Sequence, residues 1–282
     1  MDCITFEAMP NIHFAHGARI IYEQDMLHSE YLDREVLIDI YMPDGLEVFE
    51  QVSLLLINDG QDLLKMPFLG LLEKMQGKNE LEPLVCVAIH CGPERKMEYG
   101  TAYSADYLGR GAKAGMYSKF LFDELMPYIR KKYNAASFRD KSIAGFSLGG
   151  LSALDIGWNY ASEFKKIGIF SASLWWRKKA YEDGYDDEKD RLMHLQIRKG
   201  SFHPWLQFYI ECGALDETAD RNKNGVIDSI DDALDLIVEL KAKGYTDQHI
   251  RYMEMADGKH DIASWANALP DFLKWGWGKE DI

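Results

Sequence analysis

Cysteine is scarce in this chain of 282 residues: Cys3, Cys86, Cys91 and Cys212 are its four, and no Cys-x-x-Cys pair occurs. Such usage does not support a disulfide framework. All four read as reduced thiols, three of them core residues. Cys86 and Cys91 are expected in one strand, five residues apart and so on opposite faces. Basic residues are in deficit as well. The 32 Lys and Arg face 46 Asp and Glu, a formal charge of -14. Phosphate binding needs a basic surface, so a nucleic-acid partner is not expected, nor is an anionic membrane surface. No apolar run reaches the length of a membrane span. Met1-Asp2-Cys3-Ile4-Thr5 has neither the basic nor the apolar stretch of a signal peptide. A cytoplasmic protein is the expectation. No repeat period and no coiled-coil or collagen-like stretch is visible either.

What is present is an ordinary globular balance, 47% hydrophobic and 28% charged, in a chain long enough to bury a sizeable core. Residues 1–282 read as one α/β domain, with a candidate cap at 175–205. Glu35 to Met42 alternates, with Val36, Ile38 and Ile40 on one face of an antiparallel leading strand. Val52–Ile57, Leu84–Ile89, Ser142–Ala144, Lys166–Phe170, Gln207–Cys212 and Ile250–Met255 read as further strands. Helical spacing runs through Leu63, Leu64, Phe68, Leu71 and Leu72. Helices are expected at 116–132, bent at Pro127, from 148 to about 160, at 231–243 and at 262–275. Alternating strands and helices imply a mostly parallel sheet covered on both faces. Ligands of such sheets bind at the carboxyl ends of the strands.

The most informative stretch is Ser142-Ile143-Ala144-Gly145-Phe146-Ser147-Leu148-Gly149-Gly150. It is a strand, then Gly-x-Ser-x-Gly-Gly, then a helix. That spacing puts a serine on a strained strand-to-helix turn with its hydroxyl exposed above the sheet, the nucleophile arrangement of α/β-hydrolases. The helix starting at Leu148 aims its free amides and positive end at the reacting oxygen. The bland alternative is a glycine-rich turn with a capping serine.

In that fold the order is Ser, then Asp or Glu, then His. Of the histidines after Ser147, His260 directly follows the last strand. His249 opens that strand at its opposite end, and His194 lies on a polar helix. Asp216, after the strand Gln207–Cys212, is where the fold needs the acid, with Glu217 and Asp220 as close rivals. A tetrahedral intermediate needs two amide donors. The candidates are Leu148 and, in Asp59-Gly60-Gln61, Gln61.

With these residues assembled, the chain resembles an esterase family that includes enterochelin (siderophore) esterases, esterase D-type enzymes and feruloyl or acetylxylan esterases. The resemblance rests on Arg34–Pro43, Leu55–Gln61, Asp123–Ile129, Gly145–Gly150, Ser171–Trp176, Gly258-Lys259-His260, Trp265 and Pro270–Leu273. It implies Ser147, Asp216 and His260 as the triad and Gln61 with Leu148 as the oxyanion pair. It implies no particular substrate.

A second motif is Asp220 to Asp231. Asp220, Asn222, Asn224, Asp228 and Asp231 fall at positions 1, 3, 5, 9 and 12 of a calcium loop, Gly225 at 6, and the Val226 carbonyl at 7. The pattern resembles dockerin loops, and the ion would be structural. The competing reading is an Asx-turn followed by a helix capped near Ser229. No cofactor is required for catalysis. His90, Tyr99, Tyr103, Tyr107, Arg110, Trp175 and Trp176 fall near strand ends and are candidates for an aromatic pocket taking an acyl or phenolic group; for any one of them, packing is the alternative. The expected function is hydrolysis of a small-molecule carboxylic ester through an acyl-enzyme. The alternatives are acyl transfer on the same triad and a non-catalytic binding module of the same fold.

Overall fold

The computed structural model describes residues 19–279. Among these, eight strands form one sheet: β1 (Ile20–Ser29), β2 (Arg34–Pro43), β3 (Ser53–Asn58), β4 (Leu84–Ile89), β5 (Asp140–Phe146), β6 (Lys166–Phe170), β7 (Gln207–Leu215) and β8 (Ile250–Lys259). Their order is β1-β2-β4-β3-β5-β6-β7-β8. β2 pairs antiparallel with β1 and β4, and every other pair is parallel. The helices are α1 (Gly60–Leu63), α2 (Phe68–Gly77), α3 (Arg95–Glu98), α4 (Ala114–Lys119), α5 (Met126–Lys132), α6 (Leu148–Asn159), α7 (Asp187–Asp190), α8 (Leu192–Lys199), α9 (Asp228–Lys243) and α10 (Ile262–Trp277).

The apolar runs become central strands because both of their faces are covered. Side chains two apart share a face. Leu54 and Leu56 therefore join one cluster with Leu151 and Leu236, while Leu55 and Ile57 join another with Phe68, Leu72 and Phe272. Each such buried side chain contributes about 1.5–3 kcal/mol. The result is the α/β-hydrolase architecture. No helix among the described residues is long and apolar enough to cross a membrane.

Four departures from the sequence reading have physical causes. β1 was not expected. It is an edge strand whose inward side carries Glu23 and Asp25, which bind Lys132, Tyr133 and Tyr128 around α5, so the hydrophobic alternation is missing. The helix expected at 116–132 is a rod with a π-helical stretch at Phe120–Leu125 between α4 and α5. Pro127 lacks an N–H and crowds the carbonyl of Asp123, and the wider turns absorb both. Of the segment expected as a cap, α8 instead buries Leu192, Met193 and Ile197 in the main core cluster. Cys91 lies beyond the end of β4 and does not share a strand with Cys86. Cys86, Cys91 and Cys212 are all free thiols; Cys3 lies outside the described residues.

Candidate active site

Ser147 separates β5 from α6 with φ 53° and ψ -121°. A non-glycine residue there costs on the order of 1–3 kcal/mol and persists only where its surroundings enforce it. Here the Ser147 amide donates to Phe170 O at 2.8 Å, and the Ser147 carbonyl accepts from Gly150, Leu151 and Ser173 at 3.1, 3.2 and 3.1 Å. The flanking glycines are needed for closeness. A Cβ on Gly145 would lie 2.3 Å from Gly149 O, and one on Gly149 would lie 2.4 Å from Asp59 Oδ2.

His260 follows β8 on a tight turn into α10. Asp261 caps that helix by accepting from Ser264 N at 2.9 Å, and Lys259 N donates to Ser264 Oγ at 2.8 Å. The His260 ring stands edge-on to Trp265, with centroids 5.3 Å apart. Its Nε2 is 2.9 Å from Ser147 Oγ. The other late histidines are engaged elsewhere: buried His194 contacts Asp232 O at 2.8 Å, and His249 contacts Thr246.

Asp216 lies just beyond β7. Its side chain is 1% exposed, and its Oδ2 is 3.9 Å from His260 Nδ1. That exceeds a hydrogen bond, and neither carboxylate oxygen has a hydrogen-bond partner. β7 and β8 approach closely beside Asp216. A Cβ on Gly213 would lie 2.5 Å from both Asp216 Oδ1 and Gly258 O. Of the two rivals, Asp220 accepts from the Asn224 and Gly225 amides within its own loop. Half-buried Glu217 makes no ion pair with His260, and burial raises its carboxyl above the ordinary range.

The oxyanion candidates begin helices. Leu148 is the first residue of α6, and Gln61 is in the first turn of α1, where amides have no intrahelical acceptor. Asp59, at φ 61°, turns the chain from β3 into α1. Sequence reasoning missed what holds this loop to the serine turn. Arg95 grips Asp59 through Nε and Nη2 at 2.7 and 2.6 Å. Asn58 donates to Gly149 O at 2.9 Å and accepts from Tyr117 OH at 2.7 Å. Asn58-Asp59 at a strand end was a legible signal; Arg95, which opens the short helix α3, was not. Glu211 was missed too. It is fully buried on β7, its Oε1 has no partner, and Ser171 Oγ lies 3.5 Å from its Oε2. Trp265 Nε1 donates to that same Ser171 Oγ at 3.1 Å. Burial first, and the Asp216 charge second, push the Glu211 carboxyl up to about 8.

The pocket candidates divide. Tyr99 and Trp176 are core residues, a correction: a Cβ on Gly100 would lie 2.7 Å from the Trp176 ring, so the indole fills space inside the loop. Tyr103 is 88% exposed. Tyr107, Arg110 and Trp175 remain half-buried together, with the Arg110 guanidinium 5.0 Å from the Trp175 ring. His90 is held by buried Asp39, Nε2 to Oδ2 at 2.6 Å.

A sequence model of the family described as putative esterase matches residues 29–275. The chain belongs to that esterase family. No curated protein matches it. In structure it is similar to the enterobactin esterase FES from Shigella flexneri, at 20% identity and TM-score 0.68, over 94% of this chain and 63% of that one. It is also similar to an IroE-like serine hydrolase from Shewanella oneidensis, at 18% identity and TM-score 0.69, over 90% and 79% of the two chains. The siderophore hydrolase EstB from Aspergillus nidulans matches at 19% identity and TM-score 0.63, over 97% and 98%. The chain thus spans 63% of the length of the Shigella esterase.

In this esterase-family chain the loop 220–231 holds itself together. Asn222 and Asn224 donate to Asp231 Oδ2, both at 2.8 Å, and Asp220 accepts from the Gly225 amide at 2.9 Å. Asp228 departs from the calcium register: its Oδ1 accepts from Arg221 N at 2.8 Å and faces the Arg221 guanidinium. Among the described residues, no group of three His, Cys, Asp or Glu side chains is placed to hold a metal ion. Asp220, Asn222, Asn224 and Asp231 are thus linked by hydrogen bonds within one loop.

Proposed function

We propose that this chain is a serine carboxylesterase that cleaves small-molecule esters through an acyl-enzyme. The observation that carries the reading is the 2.9 Å contact between His260 Nε2 and Ser147 Oγ at a left-handed strand-to-helix turn, in a chain of an esterase family. His260 takes the Ser147 proton as Oγ attacks the ester carbon. The oxygen that becomes negative is met by the backbone amides of Leu148 and Gln61. His260 then returns the proton to the leaving alkoxide, which departs as the alcohol. Water repeats the cycle on the acyl-enzyme and releases the acid. Asp216 supports the imidazolium that forms in each half. Its 3.9 Å separation closes by about an ångström as charge develops on His260, since catalytic hydrogen bonds tighten in the reacting complex.

The structural neighbours include an enterobactin esterase and a siderophore hydrolase, so the substrate panel begins with catechol-siderophore, feruloyl, acetyl-sugar and acyl p-nitrophenyl esters. Acyl transfer uses the same steps with an alcohol in place of water, and product ratios with added alcohol separate the two. Ser147→Ala should abolish hydrolysis without unfolding the protein, and a fluorophosphonate probe should label the native chain at Ser147 only. Labelling elsewhere, or full activity in the Ala variant, refutes the proposal.

A further inference from the structure

Buried and half-buried arginines in this protein are matched by acids; buried Lys166 forms no ion pair among the described residues and lies over the Trp277 ring. Arg34 pairs with Glu98, Arg95 with Asp59, Arg110 with Asp106, and Arg191 with Asp232 and Asp235. Arg177 is different. It is 9% exposed, and among the described residues it forms no ion pair. Its guanidinium carbon lies 4.0 Å from the Tyr181 ring centre, 4.8 Å from Tyr107, 5.7 Å from Tyr185 and 5.9 Å from Trp175. Nη2 reaches the Tyr107 hydroxyl at 3.4 Å, and Nε has no hydrogen-bond partner. Aromatic faces attract a cation, but apart from the long Nη2 contact to Tyr107 they give its N–H groups no acceptor. A buried charge without a partner is costly. In a chain of net charge -14, acids to neutralise it are abundant, and the neighbouring Asp187, Asp228 and Asp232 are committed to Arg191 and Arg221 instead.

The chain leads from the serine turn to this cation. Ser173 N donates to the Ser147 carbonyl at 3.1 Å, and Arg177 follows in the same connection after β6. The Arg177 carbonyl in turn accepts from Tyr107 N at 3.0 Å. Half-buried Trp175 has the guanidinium carbons of Arg110 and Arg177 at 5.0 and 5.9 Å from its ring centre, and Arg110 spends its charge on Asp106.

We propose that Arg177 is a specificity-determining residue whose unpaired guanidinium fork binds a carboxylate carried by the ester substrate, away from the bond that is cleaved. The inference rests on the esterase reading of Ser147. A guanidinium is planar and can offer two parallel N–H groups, the geometry that matches a carboxylate and that lysine does not reproduce. No covalent step is added; the subsite anchors the acyl or alcohol part while Ser147 attacks.

The test compares two acyl esters of similar length, p-nitrophenyl hydrogen glutarate and p-nitrophenyl valerate, in the native chain and in Arg177→Gln. The native chain should favour the glutarate. In R177Q the ratio of kcat/KM for glutarate over valerate should fall by about 10- to 100-fold, mostly through KM, as for a lost charge-assisted bidentate contact. A fall of equal size on both esters means that Arg177 only supports the fold, and it overturns the proposal. An unchanged ratio overturns it as well. Glutarate binding is also read by calorimetry on Ser147→Ala, with and without R177Q. Binding that R177Q abolishes supports the subsite even if neither ester is hydrolysed, in which case the esterase reading alone fails. No heat in either protein overturns the subsite.

Discussion

Replacing Glu211 by glutamine should make the protein gain stability relative to the native sequence as pH rises from 5 to 9. Glu211 is fully buried, its Oε1 has no partner, and the Asp216 carboxylate is close enough to raise its pKa. Burial and that neighbouring charge move the carboxyl from the usual 4.5 to about 8. The other titratable groups coupled to it are Tyr209 on its own face of β7, Cys212 on the opposite face, and Tyr252 on β8, none of them cationic at neutral pH. The folded state therefore holds a proton that the unfolded chain releases between pH 4.5 and 8. The sign follows directly. Folded molecules bind more protons in that window, so stability falls as pH rises through it, and the penalty is complete above 8. The separation corresponds to roughly 5 kcal/mol at most, and solvent penetration and relaxation reduce it to roughly 2–4 kcal/mol. Glutamine mimics the neutral acid in size and does not titrate. Urea denaturation at each pH from 5 to 9 should give nearly equal stabilities at pH 5 and an advantage for Glu211→Gln that grows up to about pH 8 and is level above it. Two parallel curves would refute the reasoning, because Glu211 would then ionise normally in the folded state. Comparing the two proteins removes the contribution of Asp155, whose carboxyl burial raises to about 6.

Asp216→Asn should lower kcat by a factor on the order of 10⁴ with little change in melting temperature; near-normal turnover would shift the acid's role to Glu217 or Asp220. Gly213→Ala should displace Asp216 and separate β7 from β8, because its Cβ would meet Asp216 Oδ1 and Gly258 O at 2.5 Å. A loss of roughly 1–3 kcal/mol is expected, with kcat reduced more than KM; unchanged kcat would show that this approach does not set the acid's position. For the 220–231 loop we propose a structural calcium ion held by Asp220, Asn222, Asn224 and Asp231. A thermal melt in excess calcium should exceed one in chelator, by the equivalent of about 2.7 kcal/mol at a hundred times the dissociation constant, and coincident melts would leave the loop as a self-satisfied turn.

The order of the strands from β2 to β8, the position of the serine turn and the place of His260 at the end of the last strand were legible in the sequence, because each depends on local patterning. Val52–Ile57 and Leu84–Ile89 are apolar on both faces wherever they pair, and Gly145 and Gly149 flank a turn that few other residues permit. The family resemblance was legible for the same reason. The rest depended on contacts between residues distant in the chain. β1 is a strand only because β2 and α5 receive its polar side chains. Tyr99 and Trp176 look like pocket aromatics in a loop, but the way that loop folds over Gly100 and Gly111 makes them core. Arg95 and Asn58 secure the loop that carries Gln61 across gaps of 36 and 91 residues. The distance from Asp216 to His260, the isolation of Glu211 and the unpaired charge of Arg177 are likewise three-dimensional facts. Burial and the lack of a partner are properties of an environment, and the tertiary structure alone supplies that environment.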